Sequence, residues 1–290
     1  SKKILEELEE RVKTLVRLRP SHKEILEFYG AILREQLKAR GKICRDMTLE
    51  KPRTSSQEDE EGPLLRGRKI PIDFELAKKL FRCLCRVAKG GTPILKEGIE
   101  KIERAARDGR IDIDRFLEEM ALSESRYLEE ASSSIGLSRD ILTFLGRASI
   151  QPFLIEAAAT LTEGADMKEW SESRCPVCGA PPLLSELAET EGRRMLICSI
   201  CGHRCKGVRM ACPFCHTQDP KAHRYLFVEG DESVRIDVCE VCKKYIKTID
   251  SRKMSQRIFP LLEDMGTLHL DMLAQGEGYQ RGSTPFLDIS

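Results

Sequence analysis

Four C-x-x-C pairs in the C-terminal half of the chain constrain its fold more than any other feature. A C-x-x-C turn puts two thiolates on one side of a tight turn, and backbone N–H groups stabilise the charge on the sulfurs. Two such turns that face each other form a tetrahedral site with four sulfur ligands. The pairs therefore predict two metal sites made from Cys175, Cys178, Cys198, Cys201, Cys212, Cys215, Cys239 and Cys242.

The cysteine region also contains an internal duplication, "CPVCG…LICSIC" over 175–201 and "CPFCH…VCEVC" over 212–242. The duplication favours two ribbons in series, with the first pair facing the second and the third facing the fourth. A cross-braced arrangement, in which the first pair faces the third, is the alternative. Iron and zinc both suit four sulfurs. Four protein ligands leave no open position, so the spacing favours a structural or one-electron role over hydrolysis.

Other thiols and imidazoles lie near these pairs or in the helices. Because eight cysteines fill two sites, we expect His203 and His216 to stay outside them. Cys205 is predicted to be a loop thiol in the hinge between the ribbons, with a ligand-swapping or redox role as the alternative. The remaining cysteines are predicted to be small packing residues: Cys44, Cys83 and Cys85.

Apolar residues recur at helical spacing through the N-terminal part of the chain. They predict helices over 3–18, 21–40, 74–88, 93–107, 112–131 and 139–162. Helix-capping side chains are expected at Ser21, Asp73, Thr92 and Ser138, and Pro152 is expected to kink the last helix. Residues 50–69 have the composition of a loop. No alternating strand pattern precedes residue 175, so residues 1–165 are predicted to be an all-α bundle.

The composition changes after Gly164 to short β-like runs separated by turn residues. Residues 170–250 are therefore predicted to form a tandem four-cysteine metal-ribbon domain. Helical periodicity returns from Met254 to Leu273, so 251–290 is predicted to be a helix and a tail that pack on the rest. The fold class predicted for the whole chain is α+β, with a helical bundle followed by two rubredoxin-like or zinc-ribbon sites.

Charge and motif content argue against several functional classes. A net charge of +1 is unlike the basic excess of most nucleic-acid-binding proteins. No apolar run reaches the roughly 18–20 residues of a membrane span, and the first residues lack a signal-peptide core. We therefore expect a cytoplasmic protein, in which twelve cysteines indicate metal binding and not disulfides. The chain has none of the common phosphate-binding or metalloprotease motifs, and no catalytic residues are predicted.

Several segments resemble the formate dehydrogenase accessory proteins of the FdhE type. They are "SIQPFLIEAA" (149–158), "RCPVCGAPP" (174–182), "LICSIC" (196–201), "CPFC" (212–215), "CEVCKKYIKTID" (239–250) and the tail "EGYQRGSTPFL" (277–287). The resemblance implies a cytoplasmic protein that is not an enzyme. It also implies a partner, the catalytic subunit of a molybdenum- or tungsten-dependent formate dehydrogenase, which needs the protein to become active. The eight cysteines would then be ligands of rubredoxin-like iron sites.

Two other functional classes remain as alternatives at this point. A nucleic-acid-binding zinc-ribbon protein would bind RNA or DNA with a strong dependence on salt. A rubredoxin-like electron carrier would contain iron and undergo reversible reduction. The sequence also leaves a homodimer open.

Overall fold

The N-terminal part of the chain is helical, as the apolar spacing predicts. The structure is a computed structural model that describes residues 2–43, 49, 62–66, 68–122, 126–163 and 174–283. Within these residues the helices are α1 (Lys2–Leu18), α2 (Lys23–Arg40), α3 (Phe74–Lys89), α4 (Pro93–Arg107), α5 (Ile113–Leu122), α6 (Arg126–Ile135) and α7 (Arg139–Thr162). None of the described helices has the length and apolar character needed to cross a membrane.

Three of the four predicted helix caps are present. The side chains of Asp73, Thr92 and Ser138 each accept a hydrogen bond from a backbone N–H group in the first turn of the following helix. The prediction for Ser21 is wrong, because residues Pro20–His22 form a 3-10 turn and α2 begins at Lys23 with no capping side chain. A proline two residues after α1 has favoured a tight turn over a side-chain cap.

The single helix predicted over 112–131 is two helices, α5 and α6. The Glu119 carboxylate accepts a 2.7 Å hydrogen bond from the Tyr127 N–H group, which lies in the first turn of α6 and has no helical acceptor. The Tyr127 hydroxyl in turn accepts a 2.6 Å hydrogen bond from the Asp112 N–H group just before α5. These two bonds join the start of each helix to the other helix, which a continuous helix would not allow.

Helix α7 is the centre of the bundle and packs against α2, α3, α5 and α6. Its buried side chains include Phe144 and Phe153, which are almost fully inaccessible to solvent. Pro152 lies inside α7 and does not interrupt it. Proline lacks an N–H group, and the Gln36 amide donates a 2.8 Å hydrogen bond to the Ala148 carbonyl that this N–H would have reached. Gln36 of the neighbouring helix α2 thus supplies the hydrogen bond that Pro152 cannot make.

The cysteine region forms a single seven-stranded sheet. Its strands are β1 (Pro182–Ala188), β2 (Arg193–Cys198), β3 (Arg204–Lys206), β4 (His223–Leu226), β5 (Val234–Cys239), β6 (Lys244–Asp250) and β7 (Gln280–Arg281). The order is β3-β2-β1-β6-β5-β4, and β7 pairs with β6. Strands β1–β3 and β4–β6 are two antiparallel units, which matches the sequence duplication. The parallel pairing of β1 with β6 joins the two ribbons.

The C-terminal helix predicted from residue 254 onward is two short helices, α8 (Pro260–Gly266) and α9 (Leu268–Gly276). The apolar residues of α8 join the core of the bundle, whereas Leu270 and Ala274 of α9 join the core beneath the sheet. Arg11 of α1 donates to both oxygens of Glu263, at 2.7 and 2.6 Å, and both side chains are buried. The C-terminal segment thus contacts both parts of the chain. The boundaries of the three domains stay a prediction.

The chain after α9 has more structure than its sequence indicates. Strand β7 runs parallel to the first residues of β6, and the Ser283 hydroxyl donates a 2.5 Å hydrogen bond to the Pro182 carbonyl. Gly282 lies against the Phe214 ring, where a Cβ atom would clash. The remaining residues of the predicted tail element, 284–287, lie outside the described residues. The tail therefore packs beside the third cysteine pair, and Gly282 is required there because of its size.

Candidate metal centres

The eight cysteines of the C-x-x-C pairs form two groups of four. Site 1 contains Cys175, Cys178, Cys198 and Cys201, and site 2 contains Cys212, Cys215, Cys239 and Cys242. Within each group the Sγ atoms all lie within 4.8 Å of one another. The arrangement in series predicted from the duplication is confirmed, and the cross-braced alternative is wrong. The reason is that each ribbon brings its own two turns together at the end of its own hairpin.

The sulfur separations fit a tetrahedral metal ion. In site 1 the Sγ atoms of Cys175 and Cys201 are 3.7 Å apart, and those of Cys178 and Cys198 are 3.3 Å apart. In site 2 the corresponding separations are 3.7 and 3.6 Å. A tetrahedron with metal–sulfur bonds of about 2.3 Å has edges of about 3.8 Å. All eight thiols are free of disulfide bonds, so both groups could hold a metal ion.

Backbone N–H groups point at the sulfurs and stabilise negative charge on them. The N–H groups of Val177, Ile200 and Phe214 each lie 3.4 Å from the Sγ atom of the cysteine two residues earlier. The turns are closed by backbone hydrogen bonds, for example from Gly179 N–H to the Cys175 carbonyl at 2.8 Å. The backbone therefore helps to orient the thiolates.

The residue after each C-x-x-C pair has a positive φ angle. The four residues are Gly179, Gly202, His216 and Lys243, with φ values of 79°, 65°, 62° and 54°. Only glycine adopts this conformation at little cost, and a residue with a Cβ atom is strained there. Site 1 thus has glycine at both turns, whereas site 2 has the less favourable His216 and Lys243.

We expect Gly202→Ala to lower the free energy of unfolding by about 1–2 kcal/mol, because the positive φ disfavours a Cβ atom. The added atom would meet only Ile155 Cγ1 at 3.9 Å, an ordinary contact, so strain is the whole effect. Urea denaturation of the metal-loaded protein measures the change. The control is Gly276→Ala at the end of α9, where the added Cβ meets nothing within 4 Å. Equal effects of the two substitutions would contradict the explanation.

Site 1 is buried between the helices and the sheet. Cys175, Cys198 and Cys201 are 0–2% exposed and share a core cluster with Ala158 of α7. The Leu64 and Leu65 N–H groups donate to the carbonyls of Pro176 and Val177 at 2.9 and 2.7 Å. The Gln151 amide of α7 donates to the Ile200 carbonyl at 3.1 Å. Residues from α7 and from the predicted loop 50–69 therefore close over the first centre.

Site 2 lies closer to the surface. Cys212 and Cys239 are buried, whereas Cys215 and Cys242 are partly exposed. Tyr279, just before β7, donates a hydrogen bond of 2.5 Å from its hydroxyl to Glu240, inside the fourth cysteine pair. The two centres have the same ligand geometry but different surroundings, since the tail covers site 2 only in part.

The thiols of each site cannot all ionise without a cation. Hydrogen bonds from Cys175 and Cys198 lower the pKa of Cys178, whereas hydrogen bonds with the same neighbours and burial raise the pKa of Cys201. Desolvation raises the pKa of Cys212 in site 2. Four adjacent thiolates repel one another, and a divalent ion removes this repulsion. The donor set therefore fits a bound metal ion, and the role of the eight cysteines as its ligands stays a prediction.

Cys205, His203 and His216 lie in neither group of four sulfurs. The prediction of a loop position for Cys205 is wrong, because this residue is in β3 and is 3% exposed. It pairs with Leu196 of β2, so the first ribbon extends past its second cysteine pair. His203 is partly buried, and desolvation lowers its pKa.

Cys83 and Cys85 of α3 belong to neither site. Cys85 is buried in the core of the bundle, and burial raises its pKa to about 12, which keeps the thiol protonated. Cys83 lies on a different side of α3, is partly exposed and accepts a 3.0 Å hydrogen bond from Arg86. The predicted packing role is therefore confirmed for Cys85 and only partly for Cys83. Cys44 lies outside the described residues.

Sequence reasoning missed a buried group of charges beneath the sheet. Lys247 of β6 contacts the carboxylates of Asp264 and Asp271, both at 2.7 Å. Arg281 of β7 pairs with both carboxylates, and Tyr245 donates to Asp271 at 2.7 Å. The sequence gives only a weak signal of this buried group. The signal consists of a lysine within the run "YIKTID" and acidic residues on the apolar helices α8 and α9. These contacts join the second ribbon, both C-terminal helices and the tail.

Comparison with known proteins shows similarity to FdhE proteins. A family model described as FdhE, C-terminal domain, matches residues 210–287, which include all of site 2 and the tail. An FdhE homologue from Aquifex aeolicus is 28% identical over 273 residues, covering 92% of this chain and 89% of that protein. FdhE from Escherichia coli K12 is 33% identical over 134 residues, covering 44% of this chain and 43% of the relative.

A solved structure has the same fold over almost the whole chain. The crystal structure of the FdhE protein from Pseudomonas aeruginosa matches with a TM-score of 0.67 and 21% identity, covering 99% of this chain and 96% of the other. The helical bundle and the joined ribbons thus form a fold that a solved structure also has. The chain is thus similar to FdhE proteins in sequence and in fold.

Proposed function

We propose that this chain is a cytoplasmic accessory protein that binds the catalytic subunit of a molybdenum- or tungsten-dependent formate dehydrogenase while that enzyme matures. The observation that carries the proposal is the pair of four-sulfur sites within one sheet of an FdhE-type fold. Each site would hold one ion of iron or zinc through its four cysteines. The protein would then supply a binding surface and no chemistry of its own.

The donor sets support a role other than catalysis. Four sulfur ligands complete a tetrahedral shell, so no position is left for a substrate or a water molecule. Site 1 is also closed off by α7 and by Leu64–Leu65. A metal ion there would support the structure. It would hold the first ribbon against the helices.

The sheet also depends on the sites for its stability. Its own apolar core is small, with Leu184, Ile197, Ile236 and Tyr245 among the buried residues. Small metal-binding folds take much of their folding free energy from the metal ion, because the ligands are brought together only in the folded state. The catalytic subunit would bind to this rigid sheet. Loss of the metal ions should therefore also remove binding of the subunit.

The partial exposure of site 2 favours one alternative, a rubredoxin-like electron carrier. Cys215 and Cys242 are partly exposed, and electron exchange needs a centre that a partner can approach. An iron-loaded protein that is reduced and reoxidised reversibly, with a change in its visible spectrum, would support this function. A protein with zinc in both sites under native-level expression would exclude it.

The test of the proposed function is capture of the catalytic subunit by the affinity-tagged, metal-loaded chain from cells that produce both proteins. We expect capture by the natural sequence and loss of capture in the double variant Cys215→Ser, Cys242→Ser. The control is Cys83→Ser, a partly exposed thiol of α3 that is outside both sites. Unchanged capture by a double variant that has lost the second ion would contradict the role given to site 2. Absence of capture by the natural sequence would contradict the proposed function itself.

A further inference from the structure

Strand β4 forms an open edge of the sheet close to site 2. Among the described residues it pairs with β5 alone. Large apolar side chains are exposed along it and just after it: Tyr225 is 61% exposed, Phe227 63% and Val228 38%. Proteins usually protect edge strands from pairing with other chains. This edge instead combines free backbone groups with exposed aromatic side chains.

The register of β4 identifies which backbone groups are free. The Glu240 N–H group donates to the Ala222 carbonyl at 2.9 Å, so residues 222 and 240 face each other in a hydrogen-bonded pair. Antiparallel pairing alternates, so Arg224 and Leu226 also bond towards β5. The His223 carbonyl and the Tyr225 N–H and carbonyl groups therefore point away from the sheet, whereas the His223 N–H group donates to the Pro220 carbonyl. An added strand would find alternate donors and acceptors there.

A groove lies beside this edge, on the face of the sheet that carries Tyr225. Its cavity volume is about 190 Å³, and its apolar lining includes Met210, Phe214 and Ile246. Met210 is 52% exposed. Every second side chain of a strand added to β4 would point to this face. The groove is thus placed to receive an apolar side chain of the added strand.

The groove has a positive charge excess. Its charged lining residues are Arg194, Arg209, Arg224, Arg235, Lys244 and Asp237. A filled site 2 would add two negative charges, which leaves an excess of two positive charges. Arg235 pairs with Asp237 and Arg224 with Glu240, whereas Arg209 and Lys244 have no carboxylate partner in the described parts of the chain. Acidic side chains would supply the missing partners.

We propose that the open edge of β4 and the groove beside it bind an extended segment of the formate dehydrogenase catalytic subunit that carries acidic and apolar side chains. The segment would add as a strand to β4, place an apolar side chain against Tyr225 and Met210, and direct carboxylates to Arg209 and Lys244. Main-chain hydrogen bonds would give affinity, and the groove would give selectivity. This inference rests on the proposed function, and it states where on this chain the catalytic subunit would bind.

The charge pattern favours such a segment over a second copy of this chain. Residues 221–226 contain Lys221 and Arg224 and no acidic residue. A second β4 laid along the first would therefore bring more positive charge to the groove. An acidic segment would neutralise the positive charge excess of the groove. The electrostatic attraction would also speed its association with the groove.

The experiment uses fluorescein-labelled overlapping peptides that tile the catalytic subunit, added to the metal-loaded chain. We expect at least one acidic and apolar peptide to bind, with fluorescence anisotropy as the readout. The double variant Arg209→Glu, Lys244→Glu and the double variant Tyr225→Ala, Phe227→Ser should each weaken this binding at least tenfold. A peptide with N-methylated backbone amides should bind at least tenfold more weakly too, because it cannot add as a strand.

Two controls separate binding from folding. Lys42→Glu reverses an exposed charge and Ile94→Ala removes an exposed apolar side chain, both in the helical part, and neither should change peptide binding. Metal content and melting temperature of the edge variants should match the natural sequence, because the changed residues are exposed or lie at the rim of the groove. Unchanged capture of the whole subunit by both edge variants would overturn the inference and leave the proposed function intact. A dimer that the edge variants dissociate would also overturn it, because a second copy would then occupy β4.

Discussion

Cys201→Ser is expected to have the largest effect of any single substitution in the chain, namely loss of the ion in site 1 and loss of cooperative unfolding of the sheet. Cys201 is 1% exposed and lies in the cluster that joins α7 to the first ribbon. Structural metal ions contribute an apparent ~10–16 kcal/mol in small domains, which is as large as the whole stability of a typical protein. Cys175 and Cys198 would stay buried without the cation that they hold, which would add to the loss.

Circular dichroism and metal analysis measure this effect. Cys242→Ser in site 2 should lose one ion but keep a helical core that unfolds cooperatively, because Cys242 is partly exposed and is not part of the bundle core. Cys83→Ser should retain both ions and the full melting temperature. If Cys201→Ser kept two ions, or melted like Cys83→Ser, site 1 would not have the structural role assigned to it.

Lys247→Met is expected to destabilise the protein by about 3–5 kcal/mol, because it removes one cation from a buried group of charges. Lys247 is 3% exposed, and its ammonium group also donates to the Asp264 carbonyl at 2.8 Å. Without it, Asp264 and Asp271 would share Arg281 as their one cationic partner in the described residues. The C-terminal helices and β7 would be the first elements to separate from the sheet.

The midpoint of urea denaturation reports this change. The matched control is Lys253→Met, which removes an ion pair of 3.7 Å with Glu232 at the surface. Exposed ion pairs contribute about 0–1 kcal/mol, so the control should unfold close to the natural protein. Similar midpoints for the two variants would mean that the buried charges do not hold the tail and the ribbon together.

Helix caps and C-x-x-C turns could be predicted from the sequence, because each depends on a residue type with one well-defined physical role. Asp73 and Thr92 are followed by helices because their side chains accept from the first turn, and the structure has both caps. The C-x-x-C turns were predictable for the same reason, since spacing alone brings two sulfurs together. The grouping into two sites followed from the duplication, because each repeat carries its own hairpin.

Features that depend on distant partners were not predictable. Strands β1 and β6 pair in parallel although about sixty residues separate them, and both are buried on two faces, so neither shows an alternating pattern. The break between α5 and α6 depends on a bond from Tyr127 to Glu119, and the acidic residues of α8 pair with Arg11 and Lys247. These contacts become visible only in three dimensions.

Native mass spectrometry of the purified chain tests the central claim most directly, because it counts and identifies the ions bound to the folded protein. The account predicts two ions of iron or zinc per chain. The variant Cys215→Ser, Cys242→Ser should retain one ion, in site 1, and Cys83→Ser should retain two. A chain that folds with no metal ion, or a site 2 variant that still carries two, would contradict the account of two separate four-sulfur sites.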